Sequence, residues 1–438
     1  MIKNYFKIAW RNLLKSKWYS LINIGGLAVG LAVAILIGLW IHEELSFDRQ
    51  YKNYDRLAQV MQNQTFNGET GSQTAVPYLM GEALKKDYAN DFKQVSMSSW
   101  TGDHILASGE KKLTKSGNFF DPPVIEMLSL KMLKGSTASL NDSKSVILSA
   151  STAKAIFGDT DAIDKILKID NRFEVMVTGV YEDLPENSSF NKLTFIAPWK
   201  LFIDSSLWSE KFSNPWRANA YQTFVQLADN ADMTKVSAKI KDVKLKKVTP
   251  QDAAFKPLVF LHPMSKWHLH SEFKNGVITG GRIEFVWLFG IIGFFVLLLA
   301  CINFMNLSTA RSEKRAKEVG IRKAIGSQRG QLVKQFFSES LLIAVIAFIF
   351  SLLLVQLTLP FFNNIADKKI TILWSSPYFW MSGIAFTIVT GFLAGSYPAL
   401  YLSSFQPVKV LKGLFMQVAL QHYHVRYWWY CSFRCLLF

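Results

Sequence analysis

Arg311-Ser-Glu-Lys-Arg-Ala-Lys-Glu-Val-Gly-Ile-Arg-Lys-Ala-Ile-Gly326 is a compact basic segment held between two long apolar runs. Residues 285–310 before it and 340–366 after it contain no charged side chain. Lys and Arg near the ends of membrane spans resist translocation, so a basic loop between two spans stays on the cytoplasmic side. There a soluble cytoplasmic protein reaches the segment and can move the spans beside it. That points to a transmission device more than to an active site.

Working outward, the charge of the whole chain follows the same logic. The 438 residues are 50% hydrophobic and carry a formal net charge of +16. Residues 1–20 hold five basic and no acidic side chains, 308–339 eight and three, and 409–438 four and none. Fourteen of the sixteen net charges therefore sit in three segments assigned to the cytoplasm. A nucleic-acid binder gathers its charge on a soluble domain. Here the charge marks membrane orientation, and no nucleic-acid partner is expected.

Four spans emerge as runs of about 20 apolar residues, the length needed to cross a bilayer core. They are 21–41, 285–305, 341–362 and roughly 378–402. Five basic residues precede the first, and Glu43, Glu44 and Asp48 follow it, which puts the N-terminus inside. Its apolar run exceeds the ~7–15 residues of a signal-peptide core, and Trp40-Ile-His-Glu-Glu44 is a poor cleavage site. The reading is an uncleaved signal anchor. Ahead of it, Lys3, Lys7, Arg11 and Lys15 recur every four residues among apolar and aromatic side chains. On a helix they form a basic stripe suited to the membrane surface and its lipids, or simply the positive flank of an anchor. Inside the first span, Gly26 and Gly30 form a GxxxG pair, with Gly38 two turns beyond, a spacing that lets helices approach closely.

Residues 42–284 form a block large enough for one sizeable domain or two small ones. Glu174-Val-Met-Val-Thr-Gly-Val-Tyr181 reads as a strand ended by Glu182-Asp-Leu-Pro-Glu-Asn187. Residues 149–157 read as a short helix opened by a serine cap and closed at Gly158. A mixed α/β domain is expected. The block has no cysteine; Cys301 lies in a span as a small packing residue, and Cys431 and Cys435 lie in the tail. His268 and His270 alternate on one face if their segment is extended, and with His262 and Glu272 they invite a metal reading. Nothing supplies a supporting acidic shell, so a polar strand returning to the membrane is preferred and no metal site is assigned.

Chemical motifs are missing from the sequence. There is no G-x-x-x-x-G-K-[S/T] loop to cradle ATP, no G-x-S-x-G elbow and no H-E-x-x-H helix. An integral-membrane enzyme or ion-coupled transporter should carry inward-facing ionisable residues within its spans, and the four runs carry none.

With these residues in view, Glu318-Val-Gly-Ile-Arg-Lys-Ala-Ile-Gly326 resembles the coupling segment of FtsX-like, MacB-type ABC transporter permeases. Ala300-Cys-Ile-Asn-Phe-Met-Asn-Leu-Ser-Thr-Ala-Arg311 resembles the end of that family's second span, and Gly395-Ser-Tyr-Pro-Ala-Leu-Tyr-Leu-Ser-Ser404 with Pro407, Val408 and Leu411-Lys-Gly413 its exit from the fourth. Residues 146–158 and 177–189 resemble its extracytoplasmic core domain, and Ala9-Trp-Arg-Asn-Leu-Leu14 fits too.

The resemblance implies an α-helical integral membrane protein of the bacterial inner membrane. Four transmembrane helices would carry a large mixed α/β periplasmic domain between helices 1 and 2. The expected layout is a cytoplasmic N-terminal segment 1–20, a first span 21–41, a periplasmic core domain 42–284, and a permease domain 285–413 with a cytoplasmic coupling loop 308–339. No enzymatic activity and no cofactor are expected on the chain, because ATP would bind a separate ABC ATPase subunit. The segment Lys317, Glu318, Val319, Gly320, Ile321, Arg322, Lys323, Ala324, Ile325 and Gly326 would dock in a groove of that ATPase. Glu318 and Arg322 at i,i+4 support a short helix, Val319, Ile321, Ala324 and Ile325 offer apolar contacts, and Gly320 and Gly326 permit close approach or sharp exits. A second permease half or a homodimer would complete the bundle, with a periplasmic adaptor or outer-membrane channel as further partners. Export of antimicrobial peptides or related compounds is the expected function. The alternative is an FtsX-type signalling subunit or lipoprotein-release permease that moves no soluble substrate. Residues 414–438 depart from the family, with eight aromatic residues, Cys431, Cys435, His422 and His424. Two origins are expected for this tail: a frameshift in a longer tandem permease, or a short permease with an interfacial aromatic tail.

Overall fold

The computed structural model describes residues 10, 11, 13, 14, 17–205, 215–310, 319, 321, 323 and 325–404. The chain divides into two units. One takes the residues up to Trp40 and from Phe289 onward, and the other is Ile41–Leu288.

Four apolar helices carry the first unit: α1 (Lys17–Leu45), α2 (Arg282–Ala310), α3 (Arg329–Ala366) and α4 (Pro377–Ser404). A helix satisfies its backbone N–H and C=O groups internally, which a lipid core demands. The shortest, α4, has 28 residues, about 42 Å at 1.5 Å per residue, and all four are long and apolar enough to cross a membrane. This is an integral membrane protein with four transmembrane helices and a large α/β domain between the first two.

The helices outrun the apolar runs that announce them. Arg329, Lys334 and Glu339, expected in a loop spanning 308–339, lie on the first turns of α3. Within lipid, helices associate through close packing of small residues more than through hydrophobicity. A Cβ on Gly30 would lie 2.4 Å from Ala300 Cβ on α2, and one on Gly26 would lie 3.3 Å from Asn303 Nδ2. Gly38 has open space around it. A Cβ on Gly395 of α4 would likewise lie 2.7 Å from Ser340 Cβ of α3. Leu27, Ala28, Leu31, Cys301, Ala344, Ala347 and Ala394 form the centre of this packing, with Cys301 buried as a small filler.

The second unit is organised by one large sheet. Its strands are β1 (Leu57–Phe66), β2 (Glu69–Gln73), β3 (Val76–Pro77), β4 (Phe92–Ser98), β5 (Gly102–Ser108), β6 (Lys111–Phe120), β7 (Met132–Lys134), β8 (Ser145–Ser149), β9 (Ile166–Ile169), β10 (Phe173–Tyr181), β11 (Phe195–Pro198), β12 (Asn219–Leu227) and β13 (Leu258–Pro263). The order is β11-β8-β10-β9-β5-β6-β4-β12-β1-β13. Pairs β8–β10 and β6–β11 run parallel, and the other pairs are antiparallel. The first and last strands of the sheet in sequence, β1 and β13, are neighbours, in register from Ala58↔Pro263 to Asn63↔Leu258.

Alternation decides the faces. In β10, Phe173, Val175 and Val177 are buried while Glu174 and Met176 between them are exposed, the period-2 pattern of a half-buried strand. The helix Ala150–Phe157 begins where Ser149 accepts from the amide of Thr152 and ends at Gly158, whose φ of 67° glycine adopts without strain. One core gathers around Val146, Leu148, Phe119, Val175, Val177 and Phe195. A second, under β1, β12 and β13, gathers Ala58, Val60, Val225, Leu227, Val259 and Leu261 with the helices Met80–Asp87 and Met233–Ile240.

Candidate functional site

Between α2 and α3 the chain turns through the basic segment. Val319, Ile321 and Lys323 are helical, and Ile325 N donates to Ile321 O at 3.0 Å, one turn earlier. Gly326 N then donates to Lys323 O, and the turn leaves through Gly326 at φ 104°, a conformation that favours glycine. Val319 is buried against Leu332 and Phe336 of α3 and Ala399 of α4. Ile321 is 50% exposed and Ile325 81%. Of the apolar side chains expected to face a partner, the three described are thus divided. Val319 anchors the segment to α3 and α4, whereas Ile321 and Ile325, one turn apart, form an outward apolar stripe. Covering such a side chain contributes about 1.5–3 kcal/mol. Lys323 has its pKa lowered by desolvation and by the charge of Arg329. Lys317, Glu318, Gly320, Arg322 and Ala324 lie outside the described residues. Nearby on α3, Glu339 is buried and accepts from Gln335 Nε2 at 3.2 Å, a carboxylate just ahead of the expected span 341–362.

A second constellation occupies the second unit, where α1 ends. Glu44 and Asp48, expected only as an acidic flank, are both completely buried. Glu44 Oε2 lies 2.5 Å from His268 Nε2, and its Oε1 lies 3.7 Å from Arg282 Nη1, at the first residue of α2. The ring of Phe47 stacks on His268, with centroids 3.6 Å apart and planes 4° apart. Asp48, at φ 62°, accepts from Ser189 N at 2.7 Å and Ser189 Oγ at 2.5 Å, and its own amide donates to Asn187 O. Burial raises its pKa, while the Ser189 hydrogen bonds and the charge of His268 work the other way. Tyr51 Oη and Ser188 Oγ are 2.5 Å apart. A sequence signal for this constellation exists: the polar run Pro185-Glu-Asn-Ser-Ser-Phe190 offers donors, and the acidic residues after the first span offer acceptors.

The histidines do not behave as an extended segment. His268 directly follows a short helix, Met264–Trp267, and His270 N donates back to Lys266 O, so the two rings do not alternate on a strand. His268 serves Glu44. His262 sits buried in β13 with its ring edge-on to Phe273, and burial lowers its pKa to about 4. Among the described residues no group of three metal-ligating side chains comes together. Elsewhere, the ammonium of Lys244 is buried between Gln62 Oε1 at 2.7 Å and Asn219 Oδ1 at 2.6 Å, and desolvation lowers its pKa to about 8.

Residues 20–243 match the MacB-like periplasmic core domain family, and residues 290–407 match the FtsX-like permease C-terminal family. The chain belongs to the MacB-type, FtsX-like permeases. Among the relatives of this permease is the macrolide export ATP-binding/permease protein MacB of Mannheimia succiniciproducens, 23% identical over 366 residues, which cover 82% of this chain and 50% of that one. The MacB protein of Escherichia coli is 22% identical over 287 residues, covering 64% and 40%. The uncharacterized ABC transporter permease YknZ of Bacillus subtilis is 23% identical over 313 residues, covering 69% and 71%. The chain spans half the length of the Mannheimia protein and less of the Escherichia one. Among solved structures, the periplasmic region of MacB from Actinobacillus actinomycetemcomitans aligns with a TM-score of 0.36 at 16% identity, over 49% of this chain and 92% of that one. The extracellular domain of YknZ from Gram-positive bacteria aligns with a TM-score of 0.35 at 15% identity, over 47% and 99%.

Proposed function

We propose that this permease is the membrane subunit of an ABC-type machine. It couples ATP hydrolysis on a separate ATPase subunit to motion of a domain held on the far side of the inner membrane. The observation that carries this is the division of the basic segment: Val319 fixed into α3 and α4, Ile321 and Ile325 presented outward. Such a segment transfers the displacement of a docked protein to the helices that cross the membrane. ATP is bound by that partner. Positive-inside placement of residues 1–20 and 308–339 puts the N-terminus and the docking segment in the cytoplasm and the domain 42–284 in the periplasm. A second permease half or a second copy completes the bundle, and a periplasmic adaptor or outer-membrane channel receives the output. The cargo is an antimicrobial peptide or related compound, a reading supported by relatives named for macrolide export.

Affinity purification of the full chain from membranes in mild detergent, with mass spectrometry of what accompanies it, tests the proposal. An ABC ATPase is expected with the unmutated chain and not with Ile321→Ser/Ile325→Ser. Absence of any ATPase from the unmutated chain overturns the reading. Retention of the ATPase, with unchanged peptide and macrolide susceptibility of a deletion strain but altered envelope integrity, replaces export by signalling or lipoprotein release.

A further inference from the structure

The α/β domain joins the membrane helices through two covalent tethers, the end of α1 and the start of α2. Two independent tethers would let the domain hinge, each responding to its own helix. The side chains at these positions are arranged against that. We propose that Glu44 is a positioning residue that locks the two tethers into one unit, so that displacement of either helix reaches the sheet as a single movement. This rests on the permease reading only for what the movement serves.

The argument is geometric. Glu44 lies on the last turn of α1, wholly removed from solvent, and its two carboxylate oxygens reach different parts of the chain. One holds His268 at 2.5 Å, on the segment that follows β13. The other faces Arg282, the first residue of α2. His268 is held flat by Phe47, which comes from the α1 side again. One turn on, Asp48 binds the 187–190 loop through Ser189, and Phe190 of that loop packs in a core with Tyr51, Phe224 and Met264. Ile283 N donates to Leu269 O, which ties the first turn of α2 to the residue after His268. The α1 side, the His268 segment, the α2 start and the loop after β10 therefore meet around two buried carboxylates. Buried charge is retained only where it is paired, and here each pairing joins segments far apart in sequence. A role confined to stability would be served equally by apolar packing. The charged arrangement adds direction, because one carboxylate addresses both tethers at once.

Hydrogen exchange of the full chain in detergent, without any ATPase, reads this out at named amides. Exchange of the Asp48 and Tyr51 amides reports the α1 tether, and that of His270 and Ile283 the α2 tether. Glu44→Gln, which keeps shape and removes charge, is expected to speed both sets at least tenfold while β12 amides stay unchanged. His268→Gln is expected to do the same, and the double variant no more than either single one. Acceleration at one tether alone, at neither, or equally throughout β12 overturns the proposal. Because no partner protein is present, this result stands or falls separately from ATPase co-purification.

Discussion

The carboxylate of Asp48 accepts two hydrogen bonds from Ser189, one from its amide and one from its hydroxyl, across 141 positions of sequence. Burial raises the pKa of Asp48 and the serine donors oppose that rise. A folded-state pKa above the unfolded one means that the folded chain keeps a proton which the unfolded chain has already released. The group therefore contributes less to stability as pH climbs through that interval. Ser189→Ala removes one donor to a buried charge, and a loss of about 1.5–3 kcal/mol is expected near neutral pH. Thermal unfolding of the full chain in detergent should show it, with the deficit shrinking as acid protonates Asp48.

Ile321→Ser and Ile325→Ser test the outward stripe. If the proposed docking holds, each is expected to forfeit about 1.5–3 kcal/mol of it, roughly ten- to hundredfold in affinity for the ATPase, with unchanged unfolding of the chain. Val319→Ala should do the reverse, since its side chain lies inside the bundle. Pull-down yield and melting temperature, measured side by side, separate the two classes.

His262 and Lys244 give the domain a pH profile of known sign. Both pKa values are lowered in the folded chain, to about 4 for His262 and about 8 for Lys244. In each case the unfolded chain binds the proton first as pH falls, so stability declines on going down through the window. For His262 the window runs from pH 6.5 to about 4, and at about 1.36 kcal/mol per unit it is worth about 3 kcal/mol. For Lys244 it runs from 10.5 to about 8, with a similar magnitude. Denaturant titrations at pH 7 and 4.5 should show the first loss, and His262→Phe should flatten it. Between pH 8 and 10 the chain should gain stability, and Lys244→Met should abolish that gain.

Gly30→Leu places side-chain atoms where Ala300 Cβ already lies 2.4 Å from the nearest added carbon. Forced separation of α1 from α2 is expected to cost about 1–3 kcal/mol. Gly38→Leu, with open space around it, should cost far less. Thermal denaturation of the two variants in one detergent makes the comparison.

The four membrane helices were legible because the length of an apolar run is a one-dimensional signal. The helix Ala150–Phe157 and strand β10 were legible for a similar reason: caps and period-2 alternation are local. What stayed hidden depends on which way a side chain turns once helices meet. Val319 and Ile321 are chemically alike in sequence, yet one is buried and the other half-exposed. Glu44 and Asp48 read only as an acidic flank because their partners, His268 and Ser189, come from distant parts of the chain. His268 itself invited a metal reading from its spacing with His270, whereas the carboxylate it meets belongs to Glu44, 224 positions away.

Pairing of β1 with β13 has a consequence for how such a protein could arise. A sheet whose first and last strands in sequence are neighbours presents its two ends side by side. It can be spliced between two consecutive membrane helices as one cassette, without prising them apart. Exchanging the cassette would replace the domain and leave the four helices unchanged, with only the residues at the two joints needing to match.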